Sequence, residues 1–180
     1  IEETAIEVQL CTITAPPDIT AGTSDDGFGN CSTTVYLGTP GVSDCAGFPA
    51  TAFVDGVEID PVTYLFPTGI TIISWQISDG LSILASDDQQ VEVVDNELPT
   101  ISAPTSVIVN TDAGTCTASG FNLGFAGTSD NCGVKSVSND APTTFPLGNT
   151  TVTWFVPDNS DNNNTATQLV TVKETENPII

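Results

Sequence analysis

The side chains able to do chemistry here are nearly all carboxylates. Asp and Glu number 23, the cations are Lys135 and Lys173 alone, and there is neither Arg nor His, so the formal net charge is -21. Without His or Arg, nucleophile–base pairs and phosphate clamps have no residues to build them. A carboxylate pair of the glycosidase kind is the one catalytic option left. Against it, the acids fall in turns at positions that recur along the chain, as scaffolding ligands do, and no enzymatic activity is expected. Hard oxygen donors without His or Cys partners suit calcium rather than transition metals. The same balance excludes nucleic acid, whose binders need a basic footprint, and an anionic membrane surface.

Five cysteines (Cys11, Cys31, Cys45, Cys116 and Cys132) occur with no CxxC spacing. Zinc is therefore not expected, and disulfides or buried thiols are. No apolar run approaches the length of a membrane span. No export signal is visible, so the chain reads as an interior fragment of a longer protein.

The elements that position these groups come in two copies. Ile13-Thr-Ala-Pro16 returns as Ile101-Ser-Ala-Pro104, Leu37-Gly38 as Leu123-Gly124, and Phe66-Pro-Thr-Gly69 as Phe145-Pro-Leu-Gly148. Trp75 and Trp154 follow at one spacing, then Asp79 and Asp158. Asp95-Asn96-Glu97-Leu-Pro99 is answered by Glu174-Thr-Glu176-Asn-Pro178. The expected domains are 11–98 and 99–178, with residues 1–10 as the end of a preceding unit or an added strand.

Period-2 alternation at 70–77, 90–94, 150–156 and 167–172, separated by Asp, Asn, Gly and Pro clusters, specifies strands. No window has helical spacing. The expected fold is all-β, two tandem immunoglobulin/fibronectin-like Greek-key sandwiches of about seven strands each. Both Trp belong in the cores.

The strings Thr128-Ser-Asp130-Asn131-Cys132-Gly and Thr144-Phe-Pro-Leu-Gly-Asn-Thr-Thr-Val-Thr-Trp154, with Asp158-Asn-Ser, resemble the hyalin repeat family as found in large repetitive surface proteins of gliding Bacteroidetes. The match covers nearly all of the second repeat; the first is degenerate. The resemblance implies an extracellular, immunoglobulin-like array module associated with adhesion, without enzymatic activity. The expected setting is the cell surface, anchored to the outer membrane through other parts of the parent protein, with gliding motility as one use.

In a sandwich of this kind, Cys31 and Cys45, and likewise Cys116 and Cys132, sit at repeat-equivalent positions flanking a loop. Bridges Cys31–Cys45 and Cys116–Cys132 are expected. Asp95, Asn96 and Glu97 of the linker should meet Asp130, Asn131, Asp158, Asn159 and Asp161 at one end of the second repeat. Two readings stand for that convergence: a calcium site, or turn formers capping their own backbone. The first repeat keeps only Asp44 and Asp79, and Glu174 and Glu176 would serve a following unit. The functional expectation is a calcium-stiffened rod whose contacts are neighbouring repeats and, at the surface, polysaccharide or protein. The alternatives are an inert spacer and a carbohydrate-binding module.

Overall fold

The computed structural model describes residues 10–176. They fold entirely as strands and turns, and none of them lies in a helix long and apolar enough to cross a membrane. The chain divides into two compact units, residues 1–95 and 96–180.

In the first unit the chain begins with β1 (Thr12–Thr14) and β2 (Ile19–Gly22). Between them lie Pro16 and Pro17, which have no N–H to give a ladder. The chain changes sheets there. β1 pairs antiparallel with β4 (Gly41–Ser43), while β2 pairs parallel with β9 (Ile83–Val94). β3 (Ser32–Thr34) pairs with β7 (Leu65–Pro67), so residues 32–43 run as one interrupted strand along the unit. The larger sheet has the order β2-β9-β8-β5-β6, with β8 at Gly69–Ser78, β5 at Ala50–Val54 and β6 at Val57–Ile59. β5 and β6 form a two-residue hairpin whose turn, Asp55-Gly56, has φ of 50° and 78°. Positive φ at both central residues is what a type I′ turn requires.

The second unit repeats the plan. β10 (Thr100–Ser102) pairs with β13 (Gly127–Ser129), and β12 (Thr117–Ser119) with β15 (Thr144–Pro146). The larger sheet is β11-β17-β16-β14, from Val107–Asn110, Asn163–Lys173, Gly148–Pro157 and Ser138–Asn139, with β11 parallel to β17. With β1 and β2 counted as one strand that changes sheets, and β3 and β4 as one interrupted strand, the first unit has the seven strands expected. The second lacks the counterpart of the β5–β6 hairpin among its described residues. Residues 133–144 make the corresponding connection with eight residues fewer than residues 46–65.

Each core follows the alternation. Leu37, Phe66, Ile73, Trp75, Val91 and Val93 fill the first; Phe145, Val152, Trp154, Val170 and Val172 fill the second. Both Trp are more than nine-tenths buried, as expected. Their indole N–H groups find the same partner in each unit. Trp75 Nε1 donates to Gln89 Oε1 at 3.0 Å, and Trp154 Nε1 to Gln168 Oε1 at 3.2 Å. Each amide nitrogen then donates to two backbone carbonyls, Pro17 and Leu37 for Gln89, Thr105 and Leu123 for Gln168. One buried amide thus ties the indole, the sheet-switching segment and the interrupted strand together. The repeated glycines complete the junction. Gly38 (φ 83°) and Gly124 (φ 91°) let the backbone pass so close to Pro16 and Pro104 that a Cβ would sit 3.3 Å and 3.1 Å from the proline Cβ.

Candidate metal centre

Asp158 follows β16 directly after Pro157, whose ring ends the regular alternation. Its carboxylate is fully buried and organises the following turn. Oδ1 accepts the N–H groups of Ser160 and Asn162 at 2.8 Å each, and Oδ2 accepts Asn162 Nδ2 at 2.8 Å. Asp130 closes β13 in the same manner. Its Oδ2 accepts the N–H groups of Cys132 at 2.9 Å and Gly133 at 2.8 Å. Its other oxygen, Oδ1, is buried without a hydrogen-bond partner among the described residues.

The two turns are stitched together. Asn159 donates its backbone N–H to Gly133 O and its side-chain Nδ2 to Cys132 O, both at 3.1 Å. Gly133 (φ 104°) leaves room for this, since a Cβ there would lie 2.9 Å from Asn159 Nδ2. A bridge between Val134 and Asp158 and the bond from Lys135 N to Pro157 O hold the base. Asp95, at the end of β9, is 8% exposed and accepts Thr23 Oγ1 on Oδ1 at 3.3 Å. Asp95, Asp130 and Asp158 each offer a carboxylate oxygen within 4.8 Å of one another.

The turn reading and the cation reading are therefore not exclusive. One oxygen of Asp130 caps the backbone and the other does not. A buried carboxylate oxygen with no donor carries a large desolvation cost unless a positive charge compensates it. All-oxygen, anionic and without His or Cys, this donor set fits a hard divalent cation.

The other expected ligands fall out differently. Asp161, at φ 67°, turns its exposed carboxylate to Lys135 Nζ, 2.6 Å away, so its charge is met by a cation of the chain rather than by the group of three. Asn159 acts as the strut between the turns. Asn131 follows Asp130 and is half-buried, Glu97 is half-buried outside the group of three, and Asn96 is exposed. In the first unit Asp44 (φ 60°) accepts Ser43 Oγ. Asp79 accepts the N–H groups of Leu81 and Ser82, which hold its carboxyl below the usual carboxylate range. Both are exposed, and no further group of three acids forms among the described residues. Glu7-Val-Gln, which stands in sequence where the second repeat has Asp95-Asn-Glu97, lies outside the described residues. Glu174 and Glu176 turn back on their own unit: Glu174 accepts Thr111 Oγ1, and Glu176 accepts Gly114 N with both oxygens.

The expected cysteine pairing is corrected. Cys45 is bridged to Cys11, across 34 positions of sequence, not to Cys31. Cys11 immediately precedes β1, whose register with β4 sets Thr12 opposite Ser43 and so delivers it to Cys45. Cys31 precedes β3, at the other end of the interrupted strand 32–43 from Cys45, beside Thr68. In the second unit Pro99 takes the place of Cys11. Cys116 is an exposed thiol whose carbonyl accepts Leu147 N, at the opposite end of the unit from Cys132, so the Cys116–Cys132 bridge does not form.

Sequence reasoning missed Gln89 and Gln168. The signal was there: each follows its Trp by 14 residues.

No family model matches the chain, and no curated protein matches it in sequence. Among solved structures it is similar to human mucin-like protocadherin EC1-2, with 12% identity and a TM-score of 0.45 over 93% of this chain and 100% of that one. It is also similar to Drosophila N-cadherin EC1-4, with 10% identity and a TM-score of 0.41 over 92% of this chain and 50% of that one. Mouse cadherin-23 EC22-24 gives 15% identity and a TM-score of 0.38 over 92% and 65%. These likenesses are remote, and the reading of the site stands on the carboxylates themselves.

Proposed function

We propose that the chain is a segment of a long extracellular surface protein, an adhesive repeat module of hyalin-repeat type stiffened by calcium at Asp95, Asp130 and Asp158. The observation that supports this best is the group of three carboxylates within 4.8 Å, in which Asp130 Oδ1 is buried without a hydrogen-bond donor. Calcium supplies what the turn does not. It neutralises like charges that otherwise repel and gives the orphan oxygen a partner. The remaining ligand positions of a six- to eight-coordinate ion fall to nearby carbonyls, amides such as Asn131, and water. A chain with almost no Lys or Arg presents few tryptic sites, which suits an exposed stalk. Weak contacts to polysaccharide or protein then sum over many repeats. Use of such a rod in gliding, and its attachment to an outer membrane through other parts of the parent protein, belong to the same proposal.

Calorimetric titration with calcium tests it. Binding to the folded state alone stabilises by RT ln(1 + [L]/Kd), about 2.7 kcal/mol at a hundredfold excess over Kd. Calcium is expected to raise Tm, and NaCl at equal ionic strength is not expected to replace it. Asp130→Asn keeps an oxygen to accept the Cys132 and Gly133 N–H groups and removes the negative charge. It should abolish most of the calcium effect with Tm in chelator nearly unchanged. Absence of any binding heat in the wild-type chain would reduce the three carboxylates to turn formers.

A further inference from the structure

Two cysteines are left over once each unit is read by itself. Cys11 is joined to Cys45, Cys116 is an exposed free thiol, and Cys31 and Cys132 are both half-cystines. With five cysteines in the chain, the second sulfur of neither bond lies in its own unit. Each of the two stands at a particular end of its unit. Cys31 Sγ lies 3.7 Å from Thr68 Oγ1, in the turn before β8, and Gly69 at the start of β8 is opposite Val93, two residues before Asp95. That is the end at which the chain leaves the first unit. Cys132 follows β13, whose Ser129 is opposite Thr100 and whose carbonyl there accepts Thr100 Oγ1 at 3.0 Å. That is the end at which the chain enters the second unit, just after Pro99. Cys116 is placed at the other end of the second unit, where its carbonyl accepts Leu147 N beside the start of β16.

We infer that Cys31 and Cys132 form a disulfide that joins the first unit to the second. Elimination names the pair, and the linker keeps it within reach. β9 ends at Val94 and β10 begins at Thr100. The segment between them spans at most roughly 20 Å when fully extended. Tethered this closely, the two sulfurs meet as an intramolecular pair, ahead of any bond between copies. Closure removes two thiol protons and two electrons. A disulfide oxidant takes them up through a mixed disulfide and is itself reduced to two thiols. The oxidising surroundings that keep such a bond closed rest on the extracellular reading proposed above; the pairing itself rests on the cysteines. Cys132 belongs to the Asp130 turn, its N–H held by Asp130 Oδ2 at 2.9 Å. The crosslink and a candidate cation ligand therefore share one turn, and the linker is no longer the sole covalent connection between the units.

Thiol counting on the chain refolded with glutathione disulfide, then denatured and alkylated, tests this. One alkylated cysteine is expected without reductant, Cys116, and five with it. Cleavage at acidic residues puts each cysteine on its own peptide, because Asp26, Asp44, Asp112 and Asp130 separate them. The Cys31 and Cys132 peptides should be joined in the unreduced digest of the monomer. Cys31→Ser should leave two free thiols, Cys116 and Cys132, and Cys132→Ser should leave Cys116 and Cys31, with Cys11 still joined to Cys45 in both. Three free thiols in a wild-type chain whose Cys11–Cys45 bridge has formed overturn the proposal. So does a bond from Cys132 to Cys116, or a Cys31–Cys132 linkage confined to dimers that reductant dissociates.

Discussion

Replacing Gln168 with Leu, a side chain of similar volume, removes one amide from the second core and leaves three polar groups behind. Gln168 is 2% exposed. Its Nε2 donates to Thr105 O and Leu123 O, each at 2.8 Å, and its Oε1 accepts Trp154 Nε1 at 3.2 Å. Losing a buried partner costs about 1–3 kcal/mol for each group left unsatisfied. Three groups at the low end of that range, with some relaxation of the two carbonyls, give roughly 3–5 kcal/mol. A domain of this size commonly has about 5–10 kcal/mol in all, so the second unit should come close to unfolding at room temperature. Urea unfolding followed by Trp fluorescence reads this, with Trp75→Phe as background so that Trp154 reports alone. The expected result is a midpoint far below that of the parent, with a similar slope. Trp154→Phe removes the indole donor and part of the ring, and should cost about 1–2 kcal/mol for the lost hydrogen bond with a cavity term added to it. If Gln168→Leu costs under about 1 kcal/mol, water satisfies the two carbonyls and the amide is not what joins the segments.

Two glycines in the same unit separate strain from crowding. Gly148→Ala (φ 102°, open space) should cost about 1 kcal/mol, whereas Gly124→Ala (φ 91°, Cβ 3.1 Å from Pro104 Cβ) should cost about 1–3 kcal/mol more in thermal unfolding. Mass spectrometry of the unreduced chain should find Cys11 joined to Cys45. Cys11→Ser should destabilise the first unit alone by up to about 4 kcal/mol, the loop-closure value for a crosslink of this span. The Asp79 carboxyl is held low by the N–H groups of Leu81 and Ser82. Its folded pKa lies below its unfolded one, so its contribution is full above the unfolded value and lost as pH falls through the folded value. An NMR titration should place its midpoint below that of an ordinary Asp, and Asp79→Ala should flatten the acid limb of stability.

What was legible in the sequence was what is local and repeated. Ala-Pro, Leu-Gly and Trp recur because each is one side of the same buried junction, so self-comparison finds them without knowledge of the contacts. Gln168 recurs equally, but it stands in an alternating strand where a polar residue normally faces solvent, and only its inward direction reveals its role. Cysteine pairing failed for a geometric reason. The spacing of Cys31 and Cys45 reads as two cysteines flanking a loop, whereas residues 32–43 are an interrupted strand that carries them to opposite ends of the unit. The Cys11–Cys45 bridge depends on the register of β1 against β4, which spacing does not encode. Asp161 and Asp158 are three residues apart and look alike in sequence. A left-handed turn sends one to Lys135 and buries the other.

The parallel pairing of the second strand of each unit with its last has a mechanical consequence. In each unit β2 lies parallel to β9, or β11 to β17, with four residue pairs in register. Pulling a unit by its two ends draws these neighbours in opposite directions along their length. In the second unit the ladder bonds are then loaded together in shear, instead of parting one at a time as in a peeled hairpin, and in the first unit the same holds once the Cys11–Cys45 bridge is reduced. The Cys11–Cys45 crosslink adds a covalent limit, because residues 12–44 of the first unit cannot pay out even after its sheets separate. At about 3.5 Å per extended residue, the first unit should lengthen by roughly 120 Å less than it would reduced. In a force-extension trace of the Cys31→Ser chain this appears as two unequal steps, which become more nearly equal when reductant is added.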